Sequence, residues 1–273
     1  MNKILISVFD TEQAAFEGLT ALKELHRDGD ITMYASSVIT KNAQGWVSVP
    51  ETHDRGPVGT LVGLTAGGLL GLLGGPAGVA VGASVGGLGG LVFDMAGAGM
   101  SSDFVAEVTS TLEPGRTAIV ADVDETWVTP VDSRLGALGA TVFRRYPGQV
   151  VDEELARDAD EASADMDRLR DEFRHTTGKA RASVERAIAR QREKLNAIAA
   201  RAEAALHKQR TEFEARLATL QAQRKQAAET QRKRIDARID EMKANHEARR
   251  ARLEHARQLA KESAETAREA LKP

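Results

Sequence analysis

"KILISVFDTEQAAFEGLTALKELHRDG", residues 3–29, is the stretch that decides the fold of the first half of the chain. "KILISVF" is a short, mostly apolar run and reads as a buried strand, Lys3–Phe9. Thr11 is a good N-cap residue type, and Phe16, Leu19, Leu22 and Leu25 follow at three-residue spacing along one helical face. Gly29 is placed to end that helix. A strand followed directly by an amphipathic helix points to a sheet with helices packed against it.

Working outward, "ITMYASSVIT" (31–40) and "GWVSVPE" (45–51) flank "KNAQG", a hairpin signal. "SSDFVAEVTSTLEPG" (101–115) predicts a serine-capped helix with a Pro-Gly stop, and "RTAIVADVD" (116–124) a strand. "TPVDSRLGALG" (129–139) predicts a short helix and "ATVFRR" (140–145) a last strand. The order is βαββ, an insert, αβ, then αβ. Without the insert, the first six elements give the split βαβ, ferredoxin-like pattern, and the last helix and strand extend the sheet. The expected fold class is therefore α+β, with a ferredoxin-like βαββαβ head over 1–55 and 101–146.

The insert, 56–100, breaks into that head. Residues 56–93 contain no charged side chain. Gly59, Gly63, Gly67, Gly71 and Gly75 stand four apart, and a second series holds Gly78, Gly82, Gly86 and Gly90. Glycine costs a helix about 1 kcal/mol relative to alanine. This spacing offsets the cost by aligning small residues on one ridge, where two backbones approach closely. Pro76 divides the run into halves near the lower length limit of a membrane span, so a Gly-zipper helical hairpin is expected here. The same ridge serves equally well as a dry zipper between soluble subunits.

The third piece, 150–272, predicts a long charged helical tail. From Asp152 to Lys272 it has no proline, and Gly178 is its one glycine. Phe173, Val184, Leu195, Leu206, Leu217 and Ile239 keep an eleven-residue rhythm, with Ile198, Leu220, Met242 and Leu253 on a parallel track. Eleven residues over three turns favours a nearly straight, slightly right-handed supercoil. As one unbroken helix the tail would span roughly 180 Å. "HTTGK" (175–179) is the expected bend. The stripe is thin, so the tail is expected to pack on partners and to drive oligomerisation.

Charge is split along the chain. Residues 1–172 hold 12 basic and 26 acidic side chains, and residues 173–273 hold 25 and 14. An acidic head and a basic tail suit contacts between subunits or with an anionic surface. Acidic residues interleaved through the tail, and few aromatics, make nucleic acid an unfavoured partner. Cysteine is absent, which excludes disulfides and thiol chemistry. The six histidines are scattered without ligand spacing, and no phosphate-binding loop pattern is present. "MNKILISVFDTEQAAF" has no signal-peptide pattern. No cofactor and no metal site is expected.

"GPVGTLVGLTAGGLLGLLGGPAGVAVG" followed by "FDMAGAGMSSDFVAEVTSTLEPGRTAIVADVDE" resembles a bacterial family, the domain of unknown function numbered 1269. Its members are often labelled membrane proteins. The resemblance covers about the first 146 residues, and the tail is read from physics alone. It implies a fold and a membrane link, and it implies no catalytic residues.

"AIVADVDET" (118–126) carries a second resemblance, an Asp-x-Asp-x-Thr strand end similar to the nucleophile motif of haloacid-dehalogenase-type phosphatases. There Asp122 would attack phosphate and Asp124 would act as general acid. That chemistry needs a downstream lysine, and no lysine lies between Lys41 and Lys179. The plainer reading is a strand end leading into a helix N-terminal region, where acidic residues suit the dipole.

The expected function is non-enzymatic: a structural, self-assembling protein, associated with the bacterial inner membrane through the Gly-zipper hairpin, with head and tail cytoplasmic. Its partners would be other copies of itself and the lipid membrane. The alternative is a soluble homo-oligomeric binding or regulatory module whose glycine hairpin forms a subunit interface.

Overall fold

In a computed structural model of the chain, the described residues are 2–44, 47–48, 102–145 and 149–270. The expected glycine hairpin, with Gly59, Gly63, Gly67, Gly71, Gly75, Gly78, Gly82, Gly86 and Gly90, lies outside the described residues. The chain is mixed α and β, with an antiparallel sheet and a long helical C-terminal region. It divides into two compact units, 1–148 with 212–243, and 149–211 with 244–273.

In the first unit, β1 (Asn2–Phe9), α1 (Glu12–Arg27), β2 (Ile31–Lys41), β3 (Val47–Ser48), α2 (Ser102–Thr111), β4 (Thr117–Glu125), α3 (Thr129–Gly136) and β5 (Thr141–Arg145) follow in order. Thr11 caps α1 as its sequence position requires: its backbone is extended and its hydroxyl accepts the Ala14 N–H at 3.1 Å. The sheet order is β3-β2-β4-β1-β5, and every pairing is antiparallel. The two-residue β3 pairs with the end of β2 through Thr40 and Ser48, closing the expected hairpin.

The placing of β4 differs from expectation. The sequence pattern makes 116–124 the last strand of a six-element unit. In the structure β4 is central, between β2 and β1, and α3 is the crossover that leads to β5. The physical reason is burial. Every residue of β4 is buried, as only a strand covered on both faces can be.

One face of the sheet packs on α1 and α3. Leu5, Phe9, Ile31, Val38, Ile119, Ala121 and Val123 meet Leu19, Leu22 and Leu25 of α1 and Val131 and Leu135 of α3. Gly18 makes this contact possible, because a β-carbon there would sit 2.5 Å from the Phe9 ring. At the rim, buried Glu125 accepts from Lys3 Nζ at 3.1 Å and from Arg144 Nε at 2.5 Å, and Arg144 also reaches Asp132 of α3.

The described residues on either side of the insert, 41 and 112–116, meet at one end of the sheet. Lys41, the last residue of β2, accepts from Gly115 N at 2.6 Å and donates its own N–H to Arg116 O. Lys41 Nζ also donates to Leu112 O at 3.0 Å, so a cation meets the C-terminal carbonyls of α2, where the helix dipole favours it. Gly115, at φ +92, makes the stop that the Leu-x-Pro-Gly pattern predicts.

The tail is three helices: α4 (Gln149–His175), α5 (Lys179–Gln226) and α6 (Glu229–Ala270). The first break falls in the expected place, at Gly178 with φ +65. The second, at 227–228, has no glycine or proline to announce it. Side chains hold it: Ala228 N donates to Gln231 Oε1 at 2.9 Å, and Arg232 Nε donates to Ala227 O at 2.9 Å. Residues 212–243 of the tail belong to the unit that contains the sheet, and the rest of it to the other unit.

The second unit packs three helical segments around its own core. Ala159, Ala162, Met166 and Phe173 of α4 meet Val184, Ile188, Leu195, Ile198 and Ala202 of α5. Ala256, Ala260, Ala264 and Ala267 of α6 complete it. Alanines one turn apart leave room for close helix approach. Arg249 pairs with buried Asp152, Ser163 bonds Ser263 at 2.7 Å, and Gln191 Nε2 donates to Ala162 O. Among the described residues, no helix is long and apolar enough to cross a membrane.

Candidate functional site

The other face of the sheet buries Ile4, Ile6, Val8, Val120 and Ile39 along most of its length, and the polar group at one end of it is the candidate site. In β4 the alternation places Asp122 and Asp124 on this face, opposite Ile119, Ala121 and Val123 on the side of α1 and α3. Thr32 lies across from Asp124 and Ala35 across from Asp122, with a register shift between Met33 and Ala35. Tyr34 is the extra residue of that bulge. Bulges re-aim side chains, and Tyr34 joins Leu220, Ala227, Ile235 and Ile239 in a cluster that Leu217 and Met242 complete. A helical hairpin, 212–243, therefore covers this end of the face.

The contacts beneath the hairpin are polar and buried. Gln223, 6% exposed, donates through Nε2 to His26 O at 2.6 Å and Ile31 O at 2.8 Å. Its Oε1 accepts from Thr32 Oγ1 at 2.7 Å. Arg238, 2% exposed, donates to Thr32 Oγ1 at 2.8 Å and to Gly29 O. Gly29 is at φ +74, so a side chain there would be strained, and it would also press on Gln231. Arg234 pairs with Asp30 at 2.6 Å on the rim. The hairpin thus recognises the α1–β2 turn by its carbonyl groups.

Asp122 is the chemically unusual member. It is 6% exposed, and its Oδ2 accepts from Arg216 Nη2 at 2.7 Å. Its Oδ1 and Arg216 Nη1 are both buried without a hydrogen-bond partner. The Arg216 guanidinium lies 4.9 Å from the centre of the Tyr34 ring, within cation–π range. Burial pushes the Asp122 carboxyl up to about 6, Arg216 pulls it down, and Glu212 and Asp124 push it up. Burial likewise lowers Arg238, against the raising influence of Asp124, Tyr34 and Asp30. Burial, then the Arg238 charge, lowers His26 and favours its neutral form, whose Nδ1 accepts the Met33 N–H at 3.2 Å.

Asp122 Oδ2 is held by an arginine of the same chain, Asp124 is 5% exposed, and the hairpin covers both. The Asp-x-Asp pair is legible in the sequence, but its partners are not. Arg216, Gln223 and Arg238 escaped the sequence reading. One signal marks them: Gln223 lies three residues after Leu220, and Arg238 directly precedes Ile239, so polar side chains interrupt the apolar stripe.

The tail-packing residues are divided between the two units. Phe173, Val184 and Leu195 are buried in the helical core of the second unit. Leu217 and Ile239 pack with Tyr34 in the first. Leu206 is half-buried. The stripe expected to face partner subunits is thus largely used within the chain, because the tail turns back and supplies its own partner helices. Among the described residues, no group of three or more His, Cys, Asp or Glu is placed to hold a metal ion.

Comparison with curated proteins and with solved structures finds no match to this chain. A family model does match, beginning inside the glycine-rich insert and ending in α4, later at both ends than the resemblance read from motifs. Residues 60–173 match the model of the family described as Protein of unknown function (DUF1269).

Proposed function

We propose that this chain is a non-enzymatic structural protein that associates with the bacterial inner membrane and with copies of itself through a glycine-zipper hairpin over 56–100. The observation that carries the reading is the insert itself: 38 consecutive residues, 56–93, hold no charge. The glycines at four-residue spacing support close helix–helix approach there. The hydrogen bonds of Lys41 with Gly115 and Arg116 support a hairpin topology, since they hold the two ends of the 42–114 connection together. Packing of much of the tail stripe within the chain supports placing self-association on the glycine ridge. The head is read as ferredoxin-like on different elements from those expected. Units β1-α1-β2 and β4-α3-β5, with the order β2-β4-β1-β5, support that assignment.

The test is fractionation of cells expressing the full chain and a version with 56–100 replaced by a short Gly-Ser linker. A carbonate-resistant membrane pellet for the full chain, and loss of pelleting for the replaced version, is the expected result. A full chain found in soluble particles of high mass, reduced to monomers by the same replacement, would establish the second reading. In that reading the ridge of Gly59 to Gly75 is a dry interface between soluble subunits.

A further inference from the structure

We propose that the second unit contains a binding site for a phosphate group, built by Arg170, Arg174 and Arg181 around an open cavity of about 360 Å³. Phe173, Thr266 and Glu269 line the rest of it. Three cations and one carboxylate leave a net positive lining. All six residues belong to the unit formed by 149–211 and 244–273, so the site is internal to one compact body.

Three observations separate this cluster from an ordinary basic surface. First, the guanidinium of Arg181 lies 4.0 Å from the centre of the Phe173 ring, and stacking on an aromatic face fixes its plane. Second, each arginine is paired within its own helix by an exposed carboxylate, which is a weak, solvated interaction. Arg170 meets Asp167 at 3.2 Å, Arg174 meets Asp171 at 3.0 Å, and Arg181 meets Glu185 at 3.7 Å. Those pairs engage one nitrogen each and leave further N–H donors open. Third, Arg170 Nε is buried without a hydrogen-bond partner. Burial of Nε holds the Arg170 side chain, 23% exposed overall, in place at the cavity wall.

Arginine forks match the oxygens of a phosphate in pairs, and several arginines around one cavity suit a multivalent oxyanion better than a single carboxylate. The position is set by the fold. The break at Gly178 brings the end of α4 and the start of α5 together, so Arg174 and Arg181 come from adjacent helices across a short turn. Thr266 hydroxyl is already donated to Glu262 O at 3.0 Å, so its role is to shape the wall. Glu269 opposes an anion, and this gives the site a signed test.

The phosphate group could be free in solution or part of a lipid headgroup, and the experiment separates the two. The full chain is titrated calorimetrically with inorganic phosphate, and separately sedimented with phosphatidylcholine vesicles with or without phosphatidic acid. Arg174→Gln, at an exposed side chain that leaves the core intact, should weaken binding about tenfold. Glu269→Gln should tighten it severalfold, a gain that a misfolded variant would not show. Arg190→Gln, at an exposed arginine of the same unit outside the cavity, should change it less than about twofold. Binding to phosphate assigns a soluble ligand, and binding only to phosphatidic acid vesicles assigns a headgroup. The proposal is overturned if neither probe binds, or if Arg174→Gln and Arg190→Gln weaken binding equally, since that is general attraction to a basic surface.

Discussion

Strand β4 serves both faces of one sheet. Ile119, Ala121 and Val123 face α1 and α3, while Asp122 and Asp124 face the hairpin 212–243. The first face is closed by aliphatic packing, with each fully buried large side chain contributing about 1.5–3 kcal/mol. The second is closed near the α1–β2 turn by Gln223, Arg238 and Thr32, whose hydrogen bonds replace bonds to water and so contribute little net energy each. What they contribute is direction. A polar side chain that must meet the carbonyls of His26, Gly29 and Ile31 accepts one seating of the hairpin and rejects a shift by one turn. Apolar burial contributes stability on both sides of the sheet, and the polar contacts at the α1–β2 turn add specificity of docking on the second.

Three measurements test this contrast, beginning with the largest effect. Phe9→Ala, on the face that meets α1 and α3, should cost about 3–5 kcal/mol in chemical unfolding, as cavity-forming aromatic truncations do. A loss below about 1 kcal/mol would show that packing on this face is not a main source of stability.

The next effect appears as a pH slope. The folded-state pKa of Asp122 is raised to about 6 from 3.8, so between those values the folded chain keeps a proton that the unfolded chain has lost. Its contribution to stability is therefore fully present below about pH 4 and is lost as pH rises through about 6. Asp122→Asn lacks this dependence. The stability of the wild type relative to the variant should fall by on the order of 2 kcal/mol across the window. A constant difference from pH 4 to 7 would mean that Arg216 compensates the burial of the charge completely.

The smallest expected effect is Arg238→Met. Replacing a buried charge by an apolar side chain of similar length is often near neutral, and Thr32 keeps its bond to Gln223. A change within about 1 kcal/mol is expected, with faster amide exchange in 229–243 as the hairpin loses its directional contact. A loss as large as that of Phe9→Ala would erase the distinction between the two faces.

The sequence by itself determined the local elements. Strand–helix alternation, the Thr11 cap, the Pro-Gly stop before β4 and the bend at Gly178 each rest on a few neighbouring residues, where backbone propensity and apolar periodicity act. The eleven-residue tail rhythm was legible too, and Phe173, Val184, Leu195 and Ile239 are buried. What covers them was not legible, because periodicity shows that a face seeks cover and is silent on which surface provides it. The second tail break was equally hidden. Ala227 and Ala228 are good helix formers, and the break is held by Gln231 and Arg232 together with docking on the α1–β2 turn. Tertiary structure alone decided that β4 is central and that Asp122 meets Arg216, 94 residues away, inside the protein. A buried carboxylate needs a cation, and only the folded chain brings one that far.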